Sequence, residues 1–131
     1  MSVDFAVFDP TAAPSEPQAF RSWFETQMDL IEESVFEPSE LAEKLRSWYD
    51  AMIAEFPDIT RATPSSNKCI EYSFTPSFIY CSMPTPFAEE AEALSNSLAQ
   101  AQGIGKYLPM FDDGQNDKCI IYPDSPSAGL N

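Results

Sequence analysis

Histidine is absent from this chain of 131 residues. That excludes Ser-His-Asp and Cys-His catalysis, histidine metal sites and a histidine pH switch. Positive charge is scarce: 7 Lys and Arg stand against 21 Asp and Glu, a formal charge of −14. A field of that sign repels phosphate backbones and anionic lipid, so neither nucleic acid nor a membrane surface is expected as a partner. Cysteine is limited to Cys69, Cys81 and Cys119. An odd number without CxxC spacing makes a poor disulfide framework and a poor zinc site, and three small buried thiols are expected instead. No apolar run approaches the roughly 18 residues of a membrane span. The start, Met-Ser-Val-Asp-Phe, lacks the basic and apolar regions of a secretory signal. These absences together point to a soluble cytoplasmic protein.

What the chain does have is core material. Hydrophobic residues make up 44% and aromatics 13%, too much for a disordered segment. The length suits one domain, expected over 1–122, with a loose tail over 123–131 that is rich in Ser, Gly and Pro.

Periodicity divides the chain into elements. Residues 3–8 alternate as a strand with Val3, Phe5 and Val7 on one face, and Asp9-Pro10 ends it. Ser15-Glu16-Pro17-Gln18 reads as a helix start with Ser15 as cap, followed by the stripe Phe20, Trp23, Phe24, Met28 and Ile31. Glu37-Pro38-Ser39-Glu40 opens a second helix with the stripe Leu41, Leu45, Trp48, Tyr49, Met52 and Phe56, which Pro57 stops. Both stripes are expected to pack on the same sheet face. After a polar loop over 58–67, the runs 69–75 and 78–83 form a hairpin, with Ile70, Tyr72 and Phe74 on one face. Thr85-Pro86 begins a third helix, and Gly103-Ile104 fits a Schellman end. Two further strands are expected near 106–111 and 118–122. Pro109 makes the first of them an edge or a bulged strand. The fold class is therefore α+β: a mainly antiparallel sheet of about five strands in the order β-α-α-β-β-α-β-β, with the helices on one face.

Chemistry is harder to find. The turn Asp112-Asp113-Gly114 lacks the glycine and glutamate spacing of a calcium loop and reads as a plain turn, with Gly114 supplying positive φ. Paired carboxylates at glycosidase spacing are unavoidable among so many acids and carry no signal. Cys69 and Cys119 each follow a lysine but sit in strand-like runs, unlike an activated thiolate. No catalytic, cofactor or metal residue is expected, and the chain does not read as an enzyme.

The distribution of acid is informative. Glu25, Asp29, Glu32, Glu33, Glu37, Glu40 and Glu43 are seven carboxylates within nineteen residues, with no base among them. Like charges at i, i+4 cost a helix a few tenths of a kcal/mol per pair. A chain that keeps them has a solvated acidic face or a docking surface for a basic protein. Phe36, inside the stretch, is the candidate exposed apolar anchor. Trp23 and Trp48 sit at core spacing.

Five segments read together carry a resemblance. They are Asp-Phe-Ala-Val-Phe-Asp-Pro at 4–10, the hairpin at 71–80, Ala-Glu-Glu-Ala-Glu-Ala-Leu at 88–94, Gly-Ile-Gly at 103–105, and the ending Asp-Asp-Gly…Ile-Ile-Tyr-Pro-Asp. The chain resembles a group of small bacterial α+β proteins found beside polymorphic and type VI secretion toxins as immunity proteins. The resemblance implies a toxin-binding protein without catalytic residues or cofactors. The expected partner is a cognate toxin with a basic surface, docked through the carboxylates above and Phe36. The alternatives are a small ligand-binding domain with a pocket between sheet and helices, or a homodimeric structural module.

Overall fold

The computed structural model describes residues 2–59, 68–112, 114 and 118–123. The expected tail beyond Pro123, most of the 58–67 loop and most of the turn after Asp112 lie outside them. The elements run β1 (Ser2–Phe8), α1 (Pro17–Glu33), α2 (Glu43–Glu55), β2 (Glu71–Thr75), β3 (Phe78–Pro84), α3 (Ala88–Gln102), β4 (Gly105–Tyr107) and β5 (Ile120–Ile121). This is the expected α+β class and element order. The five strands form one antiparallel sheet, ordered β2-β3-β1-β4-β5.

The helices do not share a face. Phe5 and Val7 belong to a core with Leu45, Trp48, Met52, Ile79, Cys81 and Ala91, beneath α2 and α3. Ala6 and Phe8 point the other way, into a second core with Phe20, Phe78 and Tyr107 beneath α1. The single covered face is thus corrected to two. The reason is legible in β1, where Phe5-Ala6-Val7-Phe8 is buried without interruption. An unbroken apolar run is the mark of a strand covered on both sides.

Local signals account for most boundaries. The Glu16 carboxylate, rather than Ser15, caps α1, accepting from the backbone N–H groups of Ala19 at 2.8 Å and Gln18 at 3.2 Å. A carboxylate there both satisfies free donors and complements the helix dipole. Pro38–Glu40 form one 3-10 turn, and α2 starts only at Glu43. α3 ends as expected, with Gly103 at φ 72° and the Ile104 N–H donating to the Ala99 carbonyl at 3.0 Å. Gly114 has φ 84°, as read from the sequence. All three cysteines are buried, and none forms a disulfide among the described residues.

Strand β4 is an inner strand and ends before Pro109, which opens a 3-10 turn over Pro109–Phe111. The edge or bulged strand expected there is replaced by a turn in which the missing proline donor costs nothing. Gly105 is required by packing: a Cβ there would sit 2.3 Å from the Phe8 ring. Trp48 Nε1–H donates to the Ser95 carbonyl at 3.1 Å and ties α2 to α3. Thr75 Oγ1–H donates to Gln27 Oε1 at 2.6 Å and ties α1 to β2.

Candidate docking surface

The outer side of α1 follows from its inner one. Phe20, Trp23, Phe24, Met28 and Ile31 turn toward the sheet, with Phe20 fully buried. The opposite stripe is therefore Glu25, Asp29, Glu32 and Glu33, all exposed. Among the described residues no base pairs with any of the four. Arg21, Arg46, Lys68 and Lys106 are held instead by Asp112, Asp50, Glu90 and Glu92. The last turn of α1 contains no basic residue. Its partial negative charge adds to that of Glu32 and Glu33.

The other three predicted acids separate from this stripe. The Glu40 carboxylate accepts from the Glu37 backbone N–H at 2.8 Å, a local stabilising role within the 3-10 turn. Glu43 lies in the first turn of α2, on the opposite layer, where its charge suits the helix dipole. The chain from α1 to α2 must therefore pass round the β2 side of the sheet. There Ser34, Val35 and Phe36 line a shallow hollow of about 150 Å³ with Ile31, Tyr72, Ser73 and Phe74. Phe36 is half-buried against the larger core rather than presented to solvent. Its neighbour Val35, 84% exposed, is the apolar side chain that projects.

The sheet face under α1 is only partly covered. Register sets its rows across β1, β3 and β2: Phe8–Phe78–Thr75, then Ala6–Tyr80–Ser73, then Asp4–Ser82–Glu71. The face changes from aromatic to polar over two rows. At the polar end lies a concavity of about 260 Å³, floored by Asp4, Glu71, Ser73, Tyr80 and Ser82 and walled by Met28 and Ile31. Tyr80 O–H donates to Asp4 Oδ2 at 2.7 Å. Burial and then this bond hold the phenol protonated well above its usual range, so it serves as a donor. The hollow beside Val35 shares Ile31 and Ser73 with the concavity, so the two are neighbours.

On the far rim, Met110 Sδ accepts from the Asp4 backbone N–H at 3.3 Å. Met110 and Phe111 are 57% and 67% exposed. Exposed carboxylates and exposed apolar side chains thus stand together at the margins of this face. Sequence reasoning singled out the α1 acids but not Asp4, Glu71 or Val35, which the structure sets beside them. The available signal was an acid placed between Val3 and Phe5, within a strand otherwise apolar.

Among the described residues no group of three or more His, Cys, Asp or Glu side chains is placed to hold a metal ion. No helix among them is long and apolar enough to cross a membrane. No family model matches the chain, and neither does any curated protein or solved structure.

Proposed function

We propose that this chain is a non-catalytic inhibitor of the immunity or antitoxin kind. It binds a cognate toxin with a basic surface through the outer face of α1 and the adjoining concavity, and occludes a basic active site. The observation that carries the reading is the stripe Glu25, Asp29, Glu32 and Glu33. Its charges repel one another along one helix face while bases of the same chain are paired elsewhere. A basic protein removes that repulsion on binding, and the long-range field speeds its approach. Val35, Met110 and Phe111 give the contact apolar anchors at its margins.

The test is co-expression with the product of the adjacent gene, followed by co-purification and rescue from its toxicity. Charge reversal of Asp29, Glu32 and Glu33 together is expected to slow association and flatten its dependence on salt. Binding with an unchanged rate and salt response excludes these residues from the interface.

A further inference from the structure

A second site lies on the other side of the sheet and does not depend on the proposal above. Register places Lys106 in the row Phe74–Ile79–Val7–Lys106–Ile121, one strand in from the β5 edge, on the face beneath α2 and α3. Phe74, Ile79 and Val7 are buried hydrophobes and Ile121 is an exposed one, yet Lys106 between them is only 4% exposed. A buried ammonium costs several kcal/mol unless charge and hydrogen bonds compensate it, whereas Leu or Met there would cost nothing.

The compensation is complete in number but uneven in length. Lys106 Nζ donates to Asn96 Oδ1 at 2.5 Å, but its bonds to Ser95 Oγ and Glu92 Oε2 are long, at 3.4 and 3.5 Å. Its remaining close contact is the Phe5 ring, 4.4 Å from Nζ to centroid. Among the described residues its one carboxylate partner is thus the most distant of its hydrogen-bond acceptors, and it is 36% exposed. Burial draws the Lys106 pKa below its ordinary value, with Glu92 opposing.

This lysine lines a cavity of about 330 Å³ between α3 and the β4–β5 end of the sheet. Asn96 and Gln100 bring side-chain amides to the lining, and Ile104, Ile121 and Pro123 bring aliphatic surface. A half-open hollow in which a few polar groups converge beside aliphatic surface has the form of a small-molecule site. We infer that this cavity binds a small aliphatic monocarboxylate, whose carboxylate takes the place of Glu92 at Lys106 and whose tail lies against Ile104 and Ile121. A second negative charge on the ligand is disfavoured, because Glu92 and the net charge of the chain oppose it.

The probe is butanoate, titrated into the full-length protein near pH 6.5 while the backbone amide resonances of Gln100, Ile104 and Lys106 are followed. Butan-1-ol serves as the neutral control, with ionic strength held constant. Saturable shifts with butanoate, absent with butan-1-ol, are expected. Lys106→Met removes the charge with little change in volume, and is expected to weaken binding by at least about tenfold, as for loss of a charged hydrogen bond. Glu92→Gln removes the competitor and is expected to tighten binding. Gln100→Trp fills the cavity from an exposed helix position, leaves Lys106 in place and is expected to abolish binding. That variant carries the test if Lys106→Met does not fold. The inference is overturned by unsaturable shifts, by equal response to butan-1-ol, or by binding that survives either Lys106→Met or Gln100→Trp. Glu92→Gln binding no tighter than wild type overturns the displacement of Glu92.

Discussion

Reversing one charge on α1 should make this protein more stable. Asp29 has Glu25 four residues before it and Glu32 and Glu33 three and four after it, all exposed on the same helix face. Each neighbour is a repulsive pair of about 0.2–0.5 kcal/mol at low ionic strength. Asp29→Lys turns all three into attractive pairs of similar size, and Glu25 to Lys at i, i+4 is the favoured orientation. The new cation also lies near the C-terminal end of α1, where the dipole welcomes it. The sum of the pair terms is about 1–3 kcal/mol, and solvent exposure brings it toward the lower end. A gain of about 1 kcal/mol raises the midpoint of a domain this size by about 4 °C.

Urea denaturation is the suitable assay, because guanidinium would itself screen the charges. Asp29→Asn should deliver about half the gain, since it removes repulsion without adding attraction. In 1 M salt, where the screening length is about 3 Å, the gain should largely disappear. The same substitution should slow encounter with a basic partner, so stability and association rate move in opposite directions. No gain at low salt, or an equal gain in 1 M salt, refutes the claim that these carboxylates repel one another.

Two further outcomes are expected. Gly105→Ala should destabilise by about 1–3 kcal/mol, the usual result of overpacking, because the new methyl meets the Phe8 ring; urea unfolding of the variant measures it, and a neutral result would show that the ring can move aside. Asp112 is held at about 2 by Arg21 first, with help from Tyr107 and the Gly114 N–H against the opposing effect of burial. A depressed carboxyl contributes stability that is complete above its unfolded value of 3.8 and is lost as pH falls toward about 2. The stability difference between wild type and Asp112→Asn, followed from pH 6 to pH 2, should therefore narrow only in the acid part of that range.

Elements whose signals are local were readable from the residues. The α3 terminus was legible because a glycine followed by an isoleucine has few other uses at the end of an apolar stripe. The faces of β1 and the hairpin followed from alternation. Layer assignment was not legible from the helix stripes, because those of α1 and α2 look alike and nothing in either names the sheet face it meets. The evidence lay instead in the continuous burial of Phe5 through Phe8. The acidic segment was visible as composition, but its division was not. A carboxylate capping its own turn, such as Glu40, and one left to solvent, such as Asp29, are identical letters. Lys106 gave no warning either, since a lysine in Gly-Lys-Tyr reads as surface until register sets it beside Val7.

Placing two cores on opposite sides of one sheet has an evolutionary corollary. The apolar side of α1 packs on the smaller core, while the larger core is sealed by α2 and α3. Substitutions at separate sites with no shared neighbours act independently. Glu25, Asp29, Glu32 and Glu33 can therefore change without disturbing the packing around Trp48, so the charge of this helix face is free to drift while the larger core stays fixed.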